Sequence, residues 1–171
     1  MKIRILILII TTLAMVSCRS KSNQIVFDEA ANQEILYGLA TTKVFENEIF
    51  SKWYLPRYNE YSIDTDCIDS LKLQINEIHV KIILGTWCGD SRREVPRFIK
   101  ILNEVNFPFK NVSIIGVNRA KICPEAGVDK GYVDYVPTFI FLRNGMEIGR
   151  IIEKPIISLE KDFLIIASKN V

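Results

Sequence analysis

The chain has 171 residues, 49% of them hydrophobic and 25% charged, with four Cys, one His and a formal net charge of +2. Its length suits one compact domain, and its ordinary apolar and charged fractions exclude intrinsic disorder and collagen-like structure. A lone His excludes a zinc site of several imidazoles, four Cys are too few for a disulfide-stapled miniprotein, and no long Lys/Arg run marks a nucleic-acid face. No metal, cofactor or nucleic-acid partner is therefore expected.

In chain order, Lys2 and Arg4 precede an apolar stretch from Ile5 to Val16, broken only by Thr11 and Thr12. A basic start followed by so short an apolar run reads as a secretory signal rather than a bilayer span. Met15-Val16-Ser17-Cys18 resembles a bacterial lipobox, which implies cleavage before Cys18 and lipidation of that residue. An ordinary cleaved signal or a retained anchor is the competing reading. Loss of residues 1–17 removes Lys2 and Arg4 and leaves 20 basic against 20 acidic residues. Residues 18–24 then form a polar tether, and the protein faces an extracytoplasmic space of the cell envelope, periplasmic or at the outer membrane, that permits disulfides.

From Ile25 to about Asn76 the apolar residues recur at three- and four-residue spacing. Ile35, Leu36 and Leu39, then Val44, Phe45, Ile49, Phe50, Trp53 and Tyr54, predict helices, interrupted at Pro56 and through Tyr58–Asp66. Ile68, Leu71, Leu73 and Ile75 begin another short helix. Residues 25–77 thus read as a helical extension whose aromatic residues pack on the core or present a binding patch.

From residue 78 the pattern changes. Val80–Gly85 is a buried strand, Ser91 to about Asn103 a helix, and Val112–Val117 a second buried strand. A polar loop from Asn118 to Asp134 follows. Thr138–Leu142 and Glu147–Ile152 flank Asn144-Gly145, a hairpin-turn signal. Ser158 caps a closing helix that runs to about Ser168. The order β-α-β-loop-β-β-α predicts an α/β sandwich.

Cys88 lies in Thr86-Trp87-Cys88-Gly89-Asp90-Ser91, where a buried strand ends and a helix begins. Free backbone N–H groups and the positive end of the helix dipole favour negative charge on sulfur there. Arg92 and Arg93 add positive charge, which Asp90 and Glu94 oppose. Thiolate is the nucleophile in disulfide exchange, so this is where a Cys is reactive.

Trp87-Cys88-Gly89, Pro96 eight residues after the Cys, Val136-Pro137-Thr138 and the hairpin at Asn144-Gly145 together resemble the thioredoxin fold family over about residues 78–168. Gly85 to Phe98, with an aromatic leader similar to Phe50-Ser51-Lys52-Trp53-Tyr54, resembles thioredoxin-like lipoproteins of Bacteroidetes-type bacteria. The resemblance implies a three-layer sandwich, a central mixed sheet flanked by helices, in residues 78–171. It implies a cis-proline loop at Val136-Pro137 that docks a partner's disulfide, with Trp87, Gly89 and Asp90 shaping the same surface.

Two positions depart from that family. Ser91 stands where the second active-site Cys belongs, so internal release of a mixed disulfide is impossible and an external thiol is needed. Ile82 stands where a buried acid belongs. Ser91 is expected to donate to the Cys88 sulfur. Cys123, on the same sheet edge, is either a buried hydrophobe or a resolving thiol, and Cys67 reads as a buried hydrophobe. His79 is expected on the surface.

Two functions stay open. One is monothiol thiol–disulfide exchange at Cys88 (isomerisation, deglutathionylation or reduction with an external thiol) on protein or small-molecule partners. The other is a non-catalytic binding lipoprotein. A monomer is expected.

Overall fold

The computed structural model describes residues 22–169; the signal-like segment and Cys18 of the lipobox-like motif lie outside them. Six strands form one mixed sheet in the order β1-β2-β4-β3-β5-β6. They are β1 (Gln24–Asp28), β2 (Gln33–Ala40), β3 (Ile78–Leu84), β4 (Val112–Gly116), β5 (Thr138–Arg143) and β6 (Met146–Ile152). The helices are α1 (Glu48–Glu60), α2 (Ile68–Gln74), α3 (Gly89–Glu104) and α4 (Leu159–Ala167). The architecture is α/β.

β3 lies at the centre, parallel to β4 and antiparallel to β5. Every second residue of β3 from Ile78 to Leu84 joins the larger core, while Ile83 points to the opposite face. At the β5–β6 turn, Asn144 and Gly145 both adopt positive φ, the conformation a right-twisted hairpin requires. Ser158 accepts from Lys161 N and caps α4.

The helical expectation for residues 25–40 is wrong. That segment is a hairpin whose second strand, β2, lies antiparallel to β4 and so extends the sheet. Ile35 and Leu36 are adjacent, yet both are fully buried because β2 is covered on both faces there. Such a strand loses its alternation, and Ile35, Leu36 and Leu39 then imitate helical spacing. The turn between β1 and β2 carries no Gly or Pro. Asp28 Oδ1 accepts from Ala31 N, and Asn32 supplies the left-handed residue. Gln24, assigned to the tether, is the first residue of β1.

Pro56 does not end α1, which continues to Glu60. Asn47 caps its start, and Phe50 and Tyr54 are buried within the larger core, which outweighs the local cost of proline. Phe45 stacks on Tyr54 at 4.6 Å. Tyr61 donates to Glu160 at 3.0 Å, and Lys161 pairs with Asp64 at 3.1 Å. The aromatic cluster is thus packing between the extension and the core.

The layers also differ from helices on both faces. The buried side chains of all four helices fall in one cluster on one face of the sheet. The other face is covered by the loop between β4 and β5, through Cys123, Val128, Val133 and Val136 against Ile83, Ile115 and Ile140. That loop contains only a single 3-10 turn, Pro124–Ala126. Its apolar residues are too dispersed for an amphipathic helix but close enough to seal the face.

Among the described residues, no helix is long and apolar enough to cross a membrane.

Candidate functional site

Beyond the carboxyl end of β3, Gly85, Thr86 and Trp87 carry the chain into α3. Cys88 is the N-cap of α3, in extended conformation, and its N–H donates to Gly85 O at 2.8 Å. The first-turn amides of α3 have no partners within the helix, and the Cys88 side chain makes no cap bond to them. Cys88 is half-buried, whereas Cys67 and Cys123 are buried, and all three thiols are free.

The Cys88 thiol donates to Val136 O at 3.1 Å. The Val136–Pro137 bond is cis. The expected loop and the expected nucleophile are therefore adjacent, although 48 residues separate them. Thr138 Oγ1 donates to Tyr135 O at 2.7 Å, and Glu153 N donates to Pro137 O at 2.7 Å. These bonds fix the loop from both sides and leave Tyr135 exposed beside it.

Ser91 does not meet its expectation. Its side chain is fully buried, and its Oγ accepts from Gly85 N at 3.3 Å, a bond that braces the strand-to-helix turn. Among the described residues it makes no hydrogen bond to the Cys88 sulfur. Gly89 is exposed, and Asp90 is held by Arg93 at 2.5 Å. Arg93 also binds the buried Glu94 at 2.6 Å, so its charge is spent within α3. His79 is exposed, on β3 but well before its Cys88 end.

Trp87 is anchored by Nε1, which donates to Val117 O at 3.0 Å. Its indole lies over Gly85: a Cβ there would sit 2.5 Å from Cε2 of Trp87. Gly85→Ala is accordingly expected to push the indole off Val117 and to cost about 1–3 kcal/mol. Thermal denaturation and the fluorescence of Trp87 in a Trp53→Phe background check this; an unchanged emission spectrum contradicts it.

Thr86, Gln33 and Arg119 have no role in the sequence reading, and Arg92 enters there only as positive charge near Cys88. Thr86 Oγ1 accepts from Leu36 N at 3.0 Å, while its carbonyl accepts from Arg92 Nε at 2.6 Å. Arg92 also donates to Gln33 at 2.8 Å. The N-terminal hairpin thus braces the loop that carries Cys88 directly. Arg119 lies over the Trp87 ring, 4.5 Å from its centroid. A polar side chain in the loop after β4 carries no sequence signal for any of this.

Cys123 shares the apolar cluster that Cys88 and Trp87 pack against, but it is fully enclosed. Burial pushes its thiol up from the ordinary range, although the Ala126 amide opposes this. Burial, reinforced by Asp64, does the same for Cys67. Neither thiol is poised to attack. Tyr37 donates to Glu125 at 3.0 Å beside Cys123, and Glu125 is held below the usual carboxylate range by its own backbone amide and by Tyr37.

Raised thiols set a pH dependence. Below the unfolded value of about 8.5 both states keep the proton and nothing is lost. Above it the unfolded chain releases protons that the folded chain retains, so stability falls as pH rises. The unfolding midpoint is expected to drop from about pH 8.5 upward, and a flat profile contradicts the enclosure of Cys67 and Cys123.

Among the described residues no cluster of three or more His, Cys, Asp or Glu is placed to hold a metal ion. No protein-family model matches the chain, and no curated protein matches it in sequence. A solved structure of a protein of unknown function from Pseudomonas aeruginosa is similar in fold. It is 11% identical, with 70% of this chain and 84% of that one covered, at a TM-score of 0.48. Nothing about this chain's chemistry follows from so distant a likeness.

Proposed function

We propose that this chain is an extracytoplasmic lipoprotein of thioredoxin-like fold, anchored through Cys18, that carries out monothiol thiol–disulfide exchange at Cys88. The observation that carries the reading is Cys88, half-buried at a helix N-cap, with its sulfur 3.1 Å from the Val136 carbonyl of the Val136–Pro137 loop. Of the three described cysteines it is the one with access to solvent.

The chemistry is short. In the free protein the thiol donates to Val136 O. Once the proton leaves, that carbonyl repels the sulfur while the first-turn amides of α3 attract it, so the sulfur is directed outward. It attacks one sulfur of a partner disulfide, the partner's S–S bond breaks, and the departing sulfur leaves as thiolate with the electron pair. A mixed disulfide on Cys88 results. Ser91 cannot release it and Cys123 is enclosed, so an external thiol must attack and regenerate Cys88. Trp87, Tyr135 and Pro137 border the approach and form the docking surface.

The test is turnover of a mixed disulfide between glutathione and a peptide thiol, with glutathione as the external thiol. Catalysed release of the peptide thiol, absent in Cys88→Ser, supports the reading. Formation of the adduct on Cys88 without turnover refutes the enzyme and leaves a binding lipoprotein.

A further inference from the structure

We propose that Arg119, held against Trp87, is the specificity-determining residue of this site and selects disulfide partners that carry a carboxylate beside the reacting sulfur. The inference rests on the exchange reading above.

Three arginines belong to the neighbourhood of Cys88, and two are already committed. Arg92 is half-buried and donates to Thr86 O and Gln33, and Arg93 is paired with Asp90 and Glu94. Arg119 is exposed, and among the described residues no carboxylate lies within ion-pair distance of its guanidinium. The nearby Asp28 carboxylate is occupied by backbone donors, Ala31 N at 2.9 Å and Arg119's own N–H at 3.2 Å. Arg119 therefore presents an unspent fork of donors, and a planar guanidinium stacked on an indole is pre-organised, so holding a partner's carboxylate costs it little entropy.

Its support is rigid. The Trp87 ring is pinned by Val117 O and lies directly over Gly85. Trp87 immediately precedes Cys88, and both pack on the cluster that includes Val117 and Val136. Val117 follows β4 and Val136 precedes β5, on opposite sides of β3, so a partner seated on the sulfur lies between the Trp87–Arg119 pair and the Val136–Pro137 loop. The step itself is unchanged: Cys88 sulfur bonds to the nearer partner sulfur, the partner's S–S bond breaks, and the departing sulfur takes the electron pair. Arg119 touches neither sulfur; it binds the carboxylate next to them. A small acidic thiol and an acidic peptide share that chemistry.

The experiment measures second-order rate constants of the full chain with two chromogenic disulfides. Dithiobis(nitrobenzoate) bears a carboxylate on each ring, and dithiodipyridine is neutral. The carboxylate-to-neutral rate ratio is expected to fall about threefold in Arg119→Gln and about tenfold in Arg119→Glu, and by less in Arg119→Lys than in Arg119→Gln, because Lys keeps the charge but not the planar fork. Raised salt should narrow the wild-type ratio. Glutathione disulfide and a disulfide-linked acidic peptide, run as separate arms, tell the small thiol from the peptide by which one depends more on Arg119. An unchanged ratio in all three variants, with dithiodipyridine still labelling Cys88, overturns this inference alone. An equal loss in Arg119→Lys and Arg119→Gln overturns it too, since stacking rather than charge would then be responsible. Failure of dithiodipyridine to label Cys88 overturns the exchange reading instead.

Discussion

Cys88→Ser is expected to abolish disulfide exchange completely while leaving the fold intact. Serine is smaller than cysteine by little, and its hydroxyl can still donate to Val136 O as the thiol does. At a helix N-cap it is among the preferred residues, so stability should hold or rise. Reactivity has no such substitute, because a serine hydroxyl without an adjacent base is a poor nucleophile and cannot form a disulfide. Neither remaining thiol can take over: Cys67 and Cys123 are buried, and both are raised by burial. Retained exchange in a folded Cys88→Ser protein, followed by dithiodipyridine kinetics and circular dichroism, contradicts the assignment of the nucleophile.

The largest loss of stability is expected from Phe98→Ala. Phe98 projects from α3 into the core and is fully enclosed. Its ring lies 4.5 Å from that of Phe139, 5.9 Å from Phe141 and 5.7 Å from Phe163. One side chain thus joins the helix that Cys88 caps to β5 and α4. Its truncation removes buried apolar area and leaves a cavity among stiff aromatic neighbours, at a cost of about 3–5 kcal/mol. For a domain of this size that corresponds to roughly 6–20 °C in the unfolding midpoint. Phe98→Leu, which keeps most of the volume, should cost well under half as much. Similar midpoints for the two variants in thermal denaturation refute the packing account. Exchange at Cys88 should persist in the folded fraction of either variant, which separates stability from chemistry.

The part of the chain that carries the site was legible because its signals were local. The β-branched run Val80–Leu84 is bounded by Gly85, Asn144-Gly145 demands a tight hairpin, and Ser158 stands directly before an apolar helix. The proximity of Cys88 to Val136 came from a family resemblance rather than from spacing, since no local rule links residues 48 apart. The hairpin β1–β2 was not legible, because a strand buried on both faces loses the alternation that reveals it. Pro56 misled for a different reason: the packing of Phe50 and Tyr54 in the core overrides its local preference.

Ser91 shows a third kind of miss. Its hydroxyl oxygen accepts from Gly85 N, a backbone donor that no side-chain pattern announces, and makes no hydrogen bond to the Cys88 sulfur. Arg119 and Gln33 were invisible on the same grounds. Both act through tertiary neighbours, Trp87 and Arg92, brought together only by the sheet.

The central claim is that Cys88 forms a mixed disulfide while the protein remains folded. Its most direct test is incubation of the native protein with glutathione disulfide, followed by alkylation, proteolysis and mass mapping of each cysteine peptide. The account predicts glutathione on the Cys88 peptide, with Cys67 and Cys123 unmodified until denaturant is added. Glutathione on Cys123 or Cys67 of the native protein, or an unmodified Cys88, contradicts it.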